Sequence, residues 1–315
     1  MKTPYSRYRV SALALSALLG LAACNDGAQI GGGESAIDRV SFVVEDFRVF
    51  DDGQPLTKTG ILNDSEFVWA EGDTVGIYPE KGAQVYFAVE DGAGAKSAVF
   101  DGGGWEFKTS AVYYSYYPFI GNIYLDRHKI PVSYSGQKQT GTTGISHIGP
   151  YDYLYTAATS SSGGSLSFGY RHLGCIIRPK LTLPAGNYTK LAITAPDKVF
   201  VKSGWFDLQS GSPAIVASEY TDQLVIDLKD VSSDGSTEFK VYLMSAPVSL
   251  KGTEITVSVL NDQKREFQCK KTPSVDYEHS GIYGLGCSSW TEVEQSMGLI
   301  LDGWDDGGSI GGDAE

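Results

Sequence analysis

"RVSFVVEDFRVF", residues 39 to 50, sets the reading of the whole chain. If it is extended, Val40, Phe42 and Val44 face one way and Ser41 and Val43 the other, the two-residue period of a half-buried strand. The same kind of text continues in "EFVWAEGDTVGIYP", "AQVYFAV", "KSAVF" and "AVYYSYYPF", each run bounded by Gly, Asp or Pro. After "SSSGG" at 160–164 it resumes through "SLSFGYRHLGCIIRPKLTL", "YTKLAITA", "KVFVKSGWFDL", "TEFKVYLMSAPV", "TEITVSVL" and "KREFQCK". No stretch holds a 3.6-residue apolar period over three turns. Short strands between turn signals predict an all-β chain built from sandwiches or barrels, not alternating strands and helices.

Upstream of this text the character changes. Lys2, Arg7 and Arg9 precede an apolar run from about Val10 to Ala23. That run is too short for a spanning helix, which needs about 20 apolar residues. A basic start, a short apolar middle and small residues at its end describe a secretory signal. Leu21-Ala22-Ala23-Cys24 resembles the lipobox of bacterial lipoproteins, in which the signal is cut before the cysteine and its thiol is acylated. The expected organisation is a signal peptide at 1–23, a Gly-rich tether at 24–36 and β domains at 37–163 and 164–315, the second ending in a Gly/Asp-rich tail.

Composition narrows the function. With 42% hydrophobic residues the chain can build real cores, and its net charge of −13 argues against nucleic acid or an anionic membrane surface as partner. Attachment to a membrane is expected through lipid on Cys24. Beyond it stand Cys175, Cys269 and Cys287, an odd number with no CxxC spacing. They can hold one disulfide, such as Cys269 with Cys287, or stay as buried thiols.

Catalytic and metal signatures are missing from the text. His128, His147, His172 and His279 stand singly, outside HExxH or HxH spacing, and read as surface or satisfied core histidines. There is no GxSxG elbow and no GK[ST] phosphate loop. "FDGGGWEF" at 100–107 reads as a hairpin loop. The tail "LDGWDDGGSIGGDAE" lacks the spacing of a calcium loop. The expectation is a protein with no enzymatic activity, no cofactor and no metal. In "VYYSYYPF", residues 112–119, Tyr113 and Tyr117 share one strand face and Tyr114 and Tyr116 the other, with Pro118 ending the ladder. Packing is the favoured role for these rings. The rival reading is a monomeric surface lipoprotein whose tyrosines stack on glycans.

Taken in order, "LAAC", "FVWAEGDTVGIYP", "YYSYYPF", "YDYLYTAAT", "LSFGYRHLGCIIRPKLTL" and "LILDGWDDGGSIGGDAE" resemble the fimbrillin-like (Mfa-like) family of Bacteroidetes. The resemblance spans nearly all of the chain after Cys24. It implies two transthyretin-like β-sandwich domains in tandem, export as a lipoprotein to the outer membrane surface, and use as a subunit of type V pili. It also implies that an arginine-specific protease removes the first strand, leaving a groove for a strand of a neighbouring subunit. Partners would then be other fimbrial subunits, with host or bacterial surface ligands bound by the fimbria.

A sandwich missing a strand exposes unpaired backbone above an open core, and an incoming alternating strand satisfies both. Val40, Phe42 and Val44 are the candidate displaced strand, and Met297, Leu299 and Leu301 the candidate donor. Family pilins place the cleaved arginine before the "W.EGD" phrase, where this chain has "LTKTGIL" with Lys58 instead. Arg39 and Arg48 are the remaining candidates. Cleavage after Arg39 keeps the strand, and cleavage after Arg48 removes it. With neither cut, the chain would keep its lipid as an anchor subunit or plain surface lipoprotein.

Overall fold

The computed structural model describes residues 39–55, 67–108, 111–122, 124–160 and 165–293. All of them lie in one compact unit, Ser35–Glu315. In chain order the first strands are β1 Arg39–Val44, β2 Arg48–Asp51, β3 Gln54–Pro55, β4 Thr74–Pro79, β5 Val85–Asp91 and β6 Ser97–Asp101. Then come β7 Val112–Tyr117, β8 Ile130–Ser133, β9 Gln137–Thr140, β10 Leu154–Ser160 and β11 Ser165–His172. The rest are β12 Cys175–Leu181, β13 Gly186–Thr194, β14 Phe200–Phe206, β15 Val216–Thr221, β16 Gln223–Ser233, β17 Phe239–Lys240 and β18 Leu243–Ser245, followed by β19 Ile255–Asn261, β20 Glu266–Lys271, β21 Gly281–Cys287 and β22 Thr291–Val293. A short 3-10 turn at Ser146–Tyr151 is the helical element named among them. The all-β expectation holds.

Seven strands close a barrel in the order β1-β11-β10-β7-β4-β5-β6. Its interior is aromatic: Phe42 stacks on Phe168 with centroids 5.0 Å apart and meets Phe100 at 4.4 Å. Trp69 is fully buried against Phe100, Tyr117 and Tyr170. The phrase "WAEGD" therefore has a physical reading. Trp69 plugs the barrel and its indole N–H donates to the Phe42 carbonyl at 3.2 Å. Gly72, at φ +87°, lets the chain turn so that Asp73 accepts from the Ala70 amide at 2.7 Å. The other oxygen of Asp73 accepts from the Tyr117 hydroxyl at 2.9 Å.

The remaining strands form two larger sheets, β17-β12-β21-β2-β3 with β18 also on β12, and β22-β20-β19-β13-β16-β9, plus a small sheet β15-β14-β8. Cys175, Ile177, Leu191, Ile226, Val257 and Leu285 belong to the core between the two larger ones. Pairing runs across residue 163 repeatedly: β11 closes the barrel beside β1, β2 pairs with β21, β8 with β14 and β9 with β16. A third core, with Phe47, Val49, Tyr116, Ile130, Val201 and Met244, takes residues from both sides of that point.

The loop at 100–107 corrects the hairpin expectation. β6 and β7 are separated in the barrel by β4 and β5, so the segment is a crossover between non-adjacent strands. Its glycines, two of them at positive φ, carry the chain around Phe87, whose ring lies where a Gly102 Cβ would stand.

Candidate functional site: a strand in a slot

β1 sits as its alternation predicts. Phe42 and Val44 are buried, Val40 packs against the same core, and Val43 faces solvent. The strand is held unequally on its two sides. Along β11 it runs parallel over six residue pairs, from Arg39↔Ser165 to Val44↔Tyr170. Along β6 it is antiparallel over two, Phe42↔Ala98 and Val43↔Ser97. Removing β1 would open the barrel between β6 and β11 and bare the Phe100 and Phe168 rings.

Glu45 to Phe47 then carry the chain from the barrel into the sheet of β2. His172 fixes this passage. Its Nε2 donates to the Glu45 carbonyl at 2.9 Å and its Nδ1 to the Asp152 carboxylate at 2.9 and 3.0 Å. Both ring nitrogens face acceptors, so the ring is an imidazolium paired with a carboxylate. Burial disfavours that charge, but Asp152 and the Glu45 carbonyl outweigh it and raise the pKa above the usual histidine value. The Phe47 ring stacks on the imidazolium with centroids 3.6 Å apart. Ser280 donates to the Glu45 carboxylate and closes the clasp.

Of the cleavage candidates, Arg39 is the first residue of β1 and Arg48 the first of β2. The Arg48 side chain is about half exposed, donates to the His279 carbonyl at 3.0 Å and lies 3.9 Å from Glu278. Cys24, Lys58, and the donor candidates Met297, Leu299 and Leu301 lie outside the described residues, as does the Gly/Asp-rich tail.

The tyrosine run is divided between two cores. Tyr113 and Tyr117 enter the barrel, while Tyr116 and Tyr114 join the core shared across residue 163. The Tyr116 hydroxyl donates to Gln84 at 2.7 Å and accepts from the Ile120 amide at 3.1 Å. Burial pushes its pKa up to about 12. The face pairing is as read, with Tyr113, Tyr116 and Tyr117 buried and Tyr114 half-buried. The glycan alternative needs ring faces open to solvent, and three of these four rings offer none.

Cys175, Cys269 and Cys287 are free and buried. Cys287 lies beside Cys269, and burial first, then that thiol, raises its pKa. His147 donates from Nε2 to the Tyr242 carbonyl, burial lowering its pKa, and His128 meets Asp207 at 3.0 Å on the surface. Among the described residues no cluster of three or more His, Cys, Asp or Glu side chains could hold a metal, and no helix is long and apolar enough to cross a membrane.

Sequence reasoning missed a second arrangement. Gln137 and Gln139 on β9 are buried and use their side-chain amides as a strand would use its backbone. Gln137 accepts from the Met244 amide at 2.7 Å and donates to the Met244 carbonyl at 2.8 Å. Gln139 accepts from the Tyr242 amide at 3.0 Å and donates to the Lys240 carbonyl at 2.9 Å. These four bonds seal the backbone of residues 240–244 on the side facing β9. The signal was the alternation Gln-Lys-Gln, legible as a strand only once the partner edge is known.

No protein-family model matches the chain, and no curated protein matches it. Solved structures do. A candidate cell adhesion protein of Bacteroides ovatus superposes with a TM-score of 0.53 at 15% identity, over 82% of this chain and 97% of the other. One from Bacteroides uniformis gives 0.51 at 14% identity, over 72% and 92%. The chain shares their fold. A looser likeness, TM-score 0.37 at 8% identity, links it to the tip fimbrial protein Mfa3 of Porphyromonas gingivalis over 81% of this chain and 99% of that one.

Proposed function

We propose that this chain is a non-enzymatic fimbrial subunit of the fimbrillin-like family, exported as a lipoprotein and assembled by strand exchange at the outer membrane surface. In this reading it is two transthyretin-like lobes in tandem, 37–163 and 164–315. The carrying observation is β1: its apolar side chains fill the barrel, yet one of its two edges is held by only two residue pairs. Such a strand can be replaced by another of the same pattern. Processing after Arg48 would release β1 and leave the rest of β2, from Val49, paired with β21. Met297, Leu299 and Leu301 of a neighbour, which alternate as Val40, Phe42 and Val44 do, would enter the slot. Each such burial contributes roughly 1.5 to 3 kcal/mol. Other subunits are the partners, lipid on Cys24 is the membrane attachment, and surface ligands are met by the assembled fimbria. The shared fold with candidate adhesion proteins supports the reading.

The test is made in cells, by shearing fimbriae and resolving oligomers. Leu299→Asp with Leu301→Asp should abolish the ladder while the monomer still folds, because an unpaired carboxylate cannot enter an apolar slot. Cys24→Ala should end lipid labelling and membrane fractionation. An undiminished ladder from the double variant defeats the donor assignment, and undiminished labelling defeats the lipoprotein reading.

A further inference from the structure

A cavity of about 580 Å³ opens between β10, β14, the loop before β15 and the turn before β21. It falls within the size range of small-molecule sites. Its walls include Val201 and Ile215, and its basic lining is Lys198, His172 and His279, with no Asp or Glu. In a chain of net charge −13 that is a local reversal of sign. His172 is already saturated by Asp152 and Glu45. Lys198 is exposed, and among the described residues it has no carboxylate within ion-pair distance.

Tyr155 supplies the second, independent observation. It lines the cavity and is only 5% exposed, yet its hydroxyl has no hydrogen-bond partner among the described residues. The Tyr155 hydroxyl is not sealed from solvent and is left free to donate to a ligand in the cavity.

We propose that this cavity binds a small amphiphilic carboxylate, its apolar body against Val201 and Ile215 and its carboxylate between the Tyr155 hydroxyl and the Lys198 ammonium. The hydroxyl and the ammonium both donate, and a carboxylate only accepts, so the match is chemical as well as electrostatic. Apolar walls with one or two placed donors are the usual make-up of such sites. The site is independent of the assembly reading above, since it uses neither β1 nor the C-terminal segment.

Calorimetry on the full chain, with 2-naphthoate as probe and 2-naphthamide as its uncharged counterpart, tests this. Naphthoate should bind saturably at one site, with the amide about tenfold weaker or worse. Lys198→Gln, on an exposed residue, should bring naphthoate down to the level of the amide. Tyr155→Phe should weaken naphthoate while leaving the urea midpoint of the ligand-free protein unchanged, because the hydroxyl has no partner to lose. Ile215→Trp should fill the cavity and abolish binding of both probes, with its circular dichroism checked against the parent. No saturable binding, equal binding of the two probes, or binding indifferent to Lys198→Gln overturns the proposal.

Discussion

The barrel and the sheets beyond it solve the problem of an open edge in opposite ways. In the barrel the gap between β6 and β11 is closed by β1, a strand drawn from the first described residues and fastened mainly on one side. In the second half the backbone of 240–244 is bound by Gln137 and Gln139, whose side chains come from a strand already fixed to β16. A backbone strand can be exchanged for another with the same alternation. Two amide side chains on an embedded strand cannot, since their register and length are specific to this one edge. The difference teaches where the molecule is replaceable and where it is committed.

The largest expected effect comes from removing β1. A chain beginning at Val49 loses the burial of Val40, Phe42 and Val44, on the order of 5 kcal/mol or more. Urea unfolding followed by tryptophan fluorescence should show the barrel destabilised first, since Trp69 reports on it. A peptide spanning residues 39–47, added in trans, should restore the lost transition. If the shortened chain unfolds at the parent midpoint, β1 is not a structural member of the barrel, and the contrast with the glutamine seal disappears.

Next is the clasp that joins the two regions. His172→Gln breaks a buried ion pair and leaves Asp152 without its cation, at a cost of roughly 3 to 5 kcal/mol. The pH dependence gives a separate readout. The folded-state pKa of His172 is raised, so its contribution is complete below the unfolded value near pH 6.5 and is lost as pH rises through the folded value. Parent stability should therefore fall on going from about pH 6 toward alkaline pH, and the His172→Gln profile should be flatter there. A parent profile with no such fall would mean that the ring is neutral in the folded chain.

How much of this was legible beforehand follows from the range of the interactions. β1 and the face pairing in "YYSYYPF" could be read because alternation is local and survives in any context. The parallel partnership of β1 with β11 could not, because Arg39 and Ser165 are far apart in the chain and nothing in either marks the other. "FDGGGWEF" looked like a hairpin because glycines announce a turn without saying which strands it joins. His172 was read as a surface or satisfied core residue, and the second holds, but its partners Asp152 and Glu45 lie on other segments. The cavity around Tyr155 is assembled from stretches far apart in the chain and left no mark in any one of them.

Smaller than the clasp is the seal itself. Gln139→Ala leaves the Tyr242 amide and the Lys240 carbonyl buried without that partner, worth about 1 to 3 kcal/mol. Hydrogen exchange should rise at Tyr242 and stay unchanged along β1. Exchange that rises equally in both places would show one cooperative unit and no division between a replaceable and a committed edge.

The smallest effect on stability is expected at Arg48, and its value lies in that smallness. Its ion pair with Glu278 is 3.9 Å long and exposed on both sides, and such a pair contributes about 0 to 1 kcal/mol. Arg48→Ala should therefore leave the urea midpoint nearly unmoved. If processing after Arg48 is what frees the slot, the same variant should block maturation in cells, and N-terminal sequencing of shed protein should no longer find a start at Val49. A start at Val40 instead would place the cut after Arg39 and keep β1 in its barrel. The slot would then be filled from within the same chain, and exchange through it would have to be abandoned while the fold stood as described. A stable, unprocessed variant that still assembled would break the link between the weakly held edge and polymerisation, because β1 would never have left it.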